Sequence, residues 1–189
     1  RQWWEHVTQG LSADEIELFE KMQNQMVLNA QNHLTMETSK VRFFGMQKLS
    51  LLDYPGKMAC TLFTGGCNFK CPFCHNSDLV FLPENTMEIS KDDIFNFLSR
   101  RKHILEAVCI SGGEPLLQVG IEDFLKRVKE LGYSVKLDTN GTFPARLKSL
   151  VEKGLVDYVA MDIKNCKEKY ALTTGTNSFD IAKIEESVN

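Results

Sequence analysis

The sequence predicts an α/β protein whose strands form a partial parallel (β/α) barrel. Two observations lead to this prediction. From Val41 onward, short apolar runs alternate with helix-like segments, which is typical of parallel βαβ units with right-handed crossovers. A polar cluster also follows each predicted strand, and parallel barrels build their active sites at the carboxyl ends of their strands. Residues 1–40 lack this alternation, so we expect a helical extension and linker there and the barrel domain at 41–189.

The extension begins with a helix start signal. Ser12 is placed to cap a helix, Glu15 completes a capping box, and Leu11 can pack against Ile16. Apolar residues then recur near helical spacing as far as residue 30. The polar segment 31–40 is predicted to be a linker. Nothing catalytic is visible in this region, which is typical of a packing or partner helix.

Strands and helices are predicted in alternation along the rest of the chain. One helix begins at Ser90, a second at 121–131 is closed by Gly132, and a third begins near Pro144 and ends at Gly154. Cys60 lies within an apolar run and is expected in the core, as is Cys109. Four short apolar runs are predicted as strands: 58–63, 107–110, 134–137 and 156–161.

Composition and charge restrict the class of protein. A chain of 189 residues with 43% hydrophobic and 25% charged residues suits one globular domain with an appendage. The net charge of −3 gives no electrostatic basis for binding nucleic acid or an anionic membrane. No apolar run approaches the roughly 20 residues that cross a bilayer. Six cysteines without a signal-peptide core indicate ligands or buried residues in a reducing compartment, so we expect a cytoplasmic protein.

Three cysteines, Cys67, Cys71 and Cys74, follow the first predicted parallel strand within a loop rich in glycine and proline. Three close thiolates without a fourth would leave one iron of a [4Fe–4S] cluster open to an exchangeable ligand. Structural zinc sites usually pair cysteines or add histidines at chelating spacing, and His75 directly follows the last cysteine. The iron–sulfur interpretation is favoured, while zinc and cysteines without a metal role remain open.

Polar residues after the other predicted strands are candidates for binding a ligand. Gly112 and Gly113 would let the backbone approach a ligand, and Glu114 would accept a hydrogen bond from an ammonium group. Asp138 and Asp162 are acids at strand ends, suited to a hard cation or to ribose hydroxyls. The alternative for all of them is turn formation and helix capping.

Three further polar residues are weaker candidates. His75 and Asn76 directly follow the last cysteine and would orient a ligand at the metal. Lys164 would pair with a carboxylate at the same mouth, although a lone lysine is more often simply exposed.

Several spaced motifs resemble one enzyme family. The cysteine spacing, with Phe73 before the last cysteine, resembles the radical S-adenosylmethionine (SAM) signature, and Gly-Gly-Glu-Pro at 112–115 resembles that superfamily's second motif. The resemblance spans about 41–175. More narrowly, four segments are similar to the anaerobic ribonucleoside-triphosphate reductase activating proteins and the pyruvate formate-lyase activases: 47–57, 74–76, 137–141 and 160–164.

The resemblance implies a partial barrel of radical SAM type and a specific reaction. Cys67, Cys71 and Cys74 would be the catalytic cysteines that hold a [4Fe–4S] cluster, and the cluster would bind SAM. Flavodoxin or ferredoxin would supply an electron, and SAM cleavage would generate a glycyl radical on an anaerobic ribonucleotide reductase. SAM would contact these residues: Phe73, Asn76, Gly112, Gly113, Glu114, Asp138, Asp162 and Lys164. A monovalent cation would have these ligands: Asp138, Thr139, Met161 and Asp162.

The sequence departs from this family at both ends. Residues 1–35 have no counterpart in it, and the chain stops before the family's barrel would be complete, so we expect a C-terminal truncation. Two other hypotheses stay open at this point. One is a radical SAM enzyme acting on a small molecule, such as a deazapurine synthase. The other is a non-catalytic metal-binding regulator that dimerises through its N-terminal helix.

Overall fold

The computed structural model describes residues 9–38, 41–83, 85–177 and 179–189. The chain divides into two units, Arg1–Ser39 and Lys40–Asn189. The described part of the first unit contains the helix α1, Ala13–Thr38. Its predicted capping box is confirmed, because the Ser12 N–H donates to Glu15 Oε2 at 2.8 Å and the Glu15 N–H donates to Ser12 Oγ at 3.4 Å. Within the described ranges, no helix is long and apolar enough to cross a membrane.

The linker predicted at 31–40 is wrong over most of its length. The helix α1 continues to Thr38, and residues 39 and 40 lie outside the described ranges. The segment is polar, but it contains no glycine or proline that would end a helix. Polarity alone therefore did not distinguish a helix from a linker.

The second unit is built on one open sheet in the order β1-β2-β3-β4-β5. The strands β2 to β5 are parallel, and β1 pairs antiparallel with β2. The sheet is the predicted partial barrel: α/β, mostly parallel and not closed. Its strands are β1 Phe43–Ser50, β2 Ala59–Thr64, β3 Ala107–Gly112, β4 Ser134–Thr139 and β5 Tyr158–Met161.

Helices connect and follow these strands. The helix start predicted at Ser90 is confirmed, and Ser90 Oγ caps that helix by accepting a hydrogen bond from the Asp93 N–H at 3.0 Å. The two predicted helix ends are also confirmed, because Gly132 and Gly154 follow the last turns with positive φ angles of 85° and 66°. The helices are α2 Ser77–Phe81, α3 Lys91–Arg101, α4 Ile121–Glu130, α5 Pro144–Glu152, α6 Lys167–Thr174 and α7 Ile181–Val188, with a 3₁₀ turn at Pro115–Leu117.

The two faces of the sheet differ in chemistry. Alternate residues such as Cys60, Val108 and Leu137 form one apolar core with the helices α3, α4 and α5. The opposite side, which we call the inner face, carries strand residues of mixed polarity. They are Ala59, Thr61, Ala107, Cys109, Lys136 and Asp138. Both Cys60 and Cys109 are buried, as predicted.

Candidate functional site

A cavity of about 460 Å³ lies where the carboxyl ends of β2 to β5 meet. This volume is in the usual range for small-molecule sites. Every site residue predicted from the sequence lines it except Met161. The predicted lining residues are Cys67, Cys71, Phe73, Cys74, Asn76, Gly112, Gly113, Glu114, Asp138, Thr139, Asp162 and Lys164, together with His75.

The cysteine loop and the loop after β3 pack directly on each other through glycines. The Glu114 N–H donates to the Gly66 carbonyl oxygen at 2.8 Å, and a side chain at Gly113 would overlap that same oxygen. Gly66 itself has a positive φ of 81°, which favours glycine. Two of the predicted motifs are therefore joined by a backbone contact that other residues would disrupt.

The three cysteines of the loop are free thiols and half-buried. Burial raises the pKa of Cys67 to about 11, and burial also raises the pKa of Cys71, although Lys164 opposes the rise at Cys71. A metal must therefore displace a proton from Cys67 when it binds.

The three cysteines line one cavity. Within the described ranges, no three or more His, Cys, Asp or Glu side chains form a group that could hold a single metal ion. A four-iron cluster spaces its cysteine ligands more widely than one ion does. Three thiols around one cavity are the ligand type that such clusters use.

Glu114 is a buried carboxylate, only 1% exposed, that holds two loops together. Its oxygens accept hydrogen bonds from the Leu116 N–H at 3.0 Å, the Thr139 hydroxyl at 2.8 Å and the Asn140 N–H at 2.8 Å. Burial raises its pKa, while these donors oppose the rise. A carboxylate has about four acceptor positions, so one remains for a donor in the cavity.

A second network links the cysteine loop to the loop after β4. The Asn140 amide donates to Asn68 Oδ1 at 2.9 Å, and the Asn68 amide donates to the Thr142 hydroxyl at 2.8 Å. The Thr142 hydroxyl in turn donates to Asn140 Oδ1 at 2.7 Å. Asn140 lines the cavity and was not predicted as a site residue. Its position directly before a glycine at a strand end is the signal that would have identified it.

Asp162 and Lys164 follow β5 and form an ion pair at 2.9 Å. Desolvation lowers the pKa of Lys164, but the hydrogen bond and charge of Asp162 outweigh it and hold that pKa above its ordinary value. The Lys164 side chain is only 21% exposed and lines the cavity, so it presents a fixed positive charge to a ligand.

Two residues near the cavity depart from the sequence prediction. Lys136 lines the cavity, was not predicted, and bonds through its ammonium group to Asp138. Met161 was predicted as a cation ligand, yet it packs beside a buried cluster of Phe69, Tyr170 and Ile184 and does not line the cavity.

Comparisons with known proteins give the family. The family model of the radical SAM superfamily matches residues 61–184. The chain is 42% identical over 127 residues to MJ1227 of Methanocaldococcus jannaschii, whose name assigns it to the glycyl-radical enzyme activating enzymes. The match covers 67% of this chain and 51% of that protein. The chain is also 30% identical over 161 residues to the pyruvate formate-lyase-activating enzyme of Staphylococcus epidermidis, a match that covers 79% of this chain and 64% of that enzyme.

The matched part spans only about half to two thirds of these two relatives. Among solved structures, the crystal structure of QueE from Escherichia coli is similar to 54% of this chain and 53% of that chain. The TM-score is 0.41 and the sequence identity is 18%.

Proposed function

This chain belongs to the radical SAM superfamily, and we propose that it is the SAM-cleaving part of a glycyl-radical enzyme activating enzyme. One observation carries the proposal. The three cysteines, the Gly-Gly-Glu motif and the Asp162–Lys164 pair come from separate loops, yet all line the same cavity. Turn formation or capping would explain each motif alone, but it would not explain why they meet.

Cys67, Cys71 and Cys74 are the residues that would hold the [4Fe–4S] cluster and leave one iron for SAM. When bound, the cluster supplies one electron to SAM, which splits into methionine and a 5′-deoxyadenosyl radical that removes a hydrogen atom from a glycine of the partner. The protein positions these groups and keeps water away from them. Flavodoxin or ferredoxin is the electron donor in this proposal.

The cavity supplies complementary groups for the methionine end of SAM. Lys164 would pair with the carboxylate, and the free acceptor position of Glu114 would take a hydrogen bond from the ammonium group. Gly112 and Gly113 would let the backbone approach that ammonium group. Phe73, 55% exposed, and Asn76 line the mouth and would contact the rest of the molecule.

We further propose an anaerobic ribonucleotide reductase as the partner, and the cytoplasm as the location. The partner rests on the similarity of 47–57 and 137–141 to reductase activating proteins. The location rests on free cysteines, which persist in a reducing compartment.

SAM cleavage tests the proposed chemistry. The protein is reconstituted anaerobically with iron and sulfide, then given dithionite and SAM, and 5′-deoxyadenosine is measured by chromatography. We expect product from the wild type and from Cys166→Ala, because Cys166 is exposed and does not line the cavity. Cys71→Ala should abolish it. A cluster-loaded wild type that makes no 5′-deoxyadenosine, or one zinc and no iron in the protein, would contradict the proposal.

A second measurement identifies the partner. The reduced protein and SAM are mixed with anaerobic ribonucleotide reductase or with pyruvate formate-lyase, and the glycyl radical is observed as a doublet in electron paramagnetic resonance (EPR). We expect the doublet with the reductase. A doublet with pyruvate formate-lyase alone would correct the partner, and SAM cleavage without either doublet would favour a small-molecule substrate.

A further inference from the structure

We propose that the ammonium group of Lys136 takes the place of the monovalent cation, so that SAM binding by this protein does not require Na⁺ or K⁺. The inference rests on the proposed function, because it concerns how the SAM site is completed. It starts from the four predicted cation ligands, each of which is already bonded or packed within the chain.

Asp138 is the first of these ligands, and Lys136 holds it. The two residues lie two positions apart on β4, so both side chains project from the inner face. Lys136 Nζ bonds to Asp138 Oδ1, and the Lys136 side chain is only 11% exposed. Strand geometry therefore places a positive charge next to the carboxylate that a bound cation would need as a ligand.

Asp162 is the second acidic ligand, and it has its own positive partner in Lys164 at 2.9 Å. The charges of the two acids and the two lysines cancel. Two carboxylates without positive partners would attract a cation. Here the four side chains together carry no net negative charge.

The two uncharged ligands are also engaged. The Thr139 hydroxyl donates to Glu114 at 2.8 Å and accepts from the Gly141 N–H at 3.2 Å. The Met161 side chain packs against Gly141. A Cβ atom added at Gly141 would lie 3.1 Å from the Met161 sulfur. Thr139 lines the cavity, but its two hydrogen bonds hold its hydroxyl group in place.

A cation that bound Asp138 Oδ1 would displace Lys136 and leave a buried ammonium group without its partner. Breaking a buried ion pair in this way is strongly unfavourable. The facing inner-face residues from other elements would not compensate. Burial raises the pKa of Cys109 on β3 to about 12, so its thiol is neutral and offers the ammonium group no charge. The intramolecular ammonium group therefore outcompetes a free ion.

The test is SAM binding measured by isothermal titration with the cluster-loaded protein. Buffers contain potassium, sodium or tetramethylammonium chloride at equal ionic strength, because tetramethylammonium is too large for a cation site. For the wild type, we expect the same Kd in all three salts. For Lys136→Gln, we expect Kd in tetramethylammonium to be roughly tenfold weaker than in potassium or sodium, a typical coupling between two ligands.

Lys57→Gln is the matched control. Lys57 bonds to Ser134 on β4 but does not touch Asp138, so its loss removes a lysine near the sheet without opening the cation position. This variant should behave as the wild type in every salt. A wild type that needs sodium or potassium overturns the inference, even where Lys136→Gln fails to fold. A folded Lys136→Gln protein that ignores the salt also overturns it.

A direct measurement separates this inference from the proposed function. If the wild type binds SAM in none of the salts, the proposed function is contradicted. The inference is then tested without SAM, by the broadening of the ²³Na nuclear magnetic resonance signal when sodium binds the protein. We expect broadening with Lys136→Gln and none with the wild type or with Lys136→Arg. Broadening with the wild type, or none with a folded Lys136→Gln protein, overturns the inference.

Discussion

The carboxylate of Glu114 joins the loop after β3 to the loop after β4 through three accepted hydrogen bonds. All three partners are donors, so a carboxamide would direct its own NH₂ group at one of them whichever way it turned. We expect Glu114→Gln to lower the free energy of unfolding by about 1–3 kcal/mol, the usual effect of an unsatisfied buried group. Urea denaturation followed by circular dichroism measures the loss.

Glu152→Gln is the control for this prediction. Its carboxylate lies on α5 with 65% of the side chain exposed, at 3.9 Å from Lys148. Such exposed pairs contribute less than about 0.5 kcal/mol. Equal losses in the two variants would mean that the buried network around Glu114 does not stabilise the loops.

The motifs identify most of the cavity lining but miss Lys136. In the sequence, this lysine is simply the polar position of an alternating strand. Whether that position faces solvent or a cavity depends on which side of the sheet the helices cover, which the strand itself does not specify. The spacing of two residues before Asp138 places both on one face and would have predicted the pair.

Gly113 determines how closely the cysteine loop packs on the loop after β3. An added methyl group would overlap the Gly66 carbonyl oxygen, so we expect Gly113→Ala to move the cysteine loop and destabilise the fold by about 1–3 kcal/mol. Iron bound after reconstitution should also fall, as measured by metal analysis.

Gly154→Ala separates backbone strain from this overlap. Gly154 has a positive φ of 66°, but an added methyl group would meet nothing within 4 Å. This variant should lose about 1–2 kcal/mol from backbone strain and keep its iron. Full iron binding by Gly113→Ala would show that the close approach of the two loops is not required.

Asp157 ties the helix α4 to the strand β4. Its carboxylate accepts from Lys129 Nζ at 2.7 Å and from the Val135 N–H at 2.6 Å. Burial would raise its pKa, but these hydrogen bonds outweigh burial and hold the pKa below the ordinary 3.8. The carboxylate therefore stabilises the fold above pH 3.8, and this contribution is lost as the pH falls below that value.

We expect Asp157→Asn to lower the free energy of unfolding by about 1 kcal/mol at neutral pH, a figure reduced for the partial exposure of the side chain. The difference from the wild type should shrink as the pH falls below 3.8. Urea denaturation over a pH series measures it. Asp123 lies on the exposed side of α4, and Asp123→Asn should show no such trend. If the difference for Asp157→Asn stayed constant with pH, the Asp157 carboxylate would not stabilise the fold in the proposed way.

The parallel strands were predictable and β1 was not, for a physical reason. The strands β2 and β3 are short, almost wholly buried runs, and β4 alternates apolar residues that face the core with polar residues on the inner face. The edge strand β1 has irregular register near Gly45 and again between Gln47 and Ser50, so its buried and exposed positions do not alternate. The spacing of apolar residues alone does not identify such a strand.

The division of the chain into two units leads to a prediction about the N-terminal extension. Among the residues that the structure describes, those that line the cavity belong to Lys40–Asn189. We propose that the extension is a separate segment, and we expect a chain that starts at residue 40 to bind iron and SAM as the complete chain does. Metal analysis and isothermal titration measure both properties. Loss of SAM binding in a folded, iron-loaded protein would show that the extension contributes to the site.

The shape of the second unit explains why its chemistry lies at one edge. Parallel strands bring four loops to the same side of the sheet, and the helices cover the apolar face. The order of strands and loops can be predicted from the sequence. The hydrogen bonds between loops, such as those of Glu114, are not, because they depend on contacts between distant segments.

Binding of SAM to the cluster is measured directly by EPR on the reduced, reconstituted protein, with SAM carrying magnetic isotopes in its amino and carboxylate groups. We predict a [4Fe–4S] signal that changes when SAM is added and shows hyperfine coupling to the labelled atoms, since SAM would bind the iron that Cys67, Cys71 and Cys74 leave open. A fully loaded cluster whose signal is unchanged by SAM and shows no such coupling would contradict it.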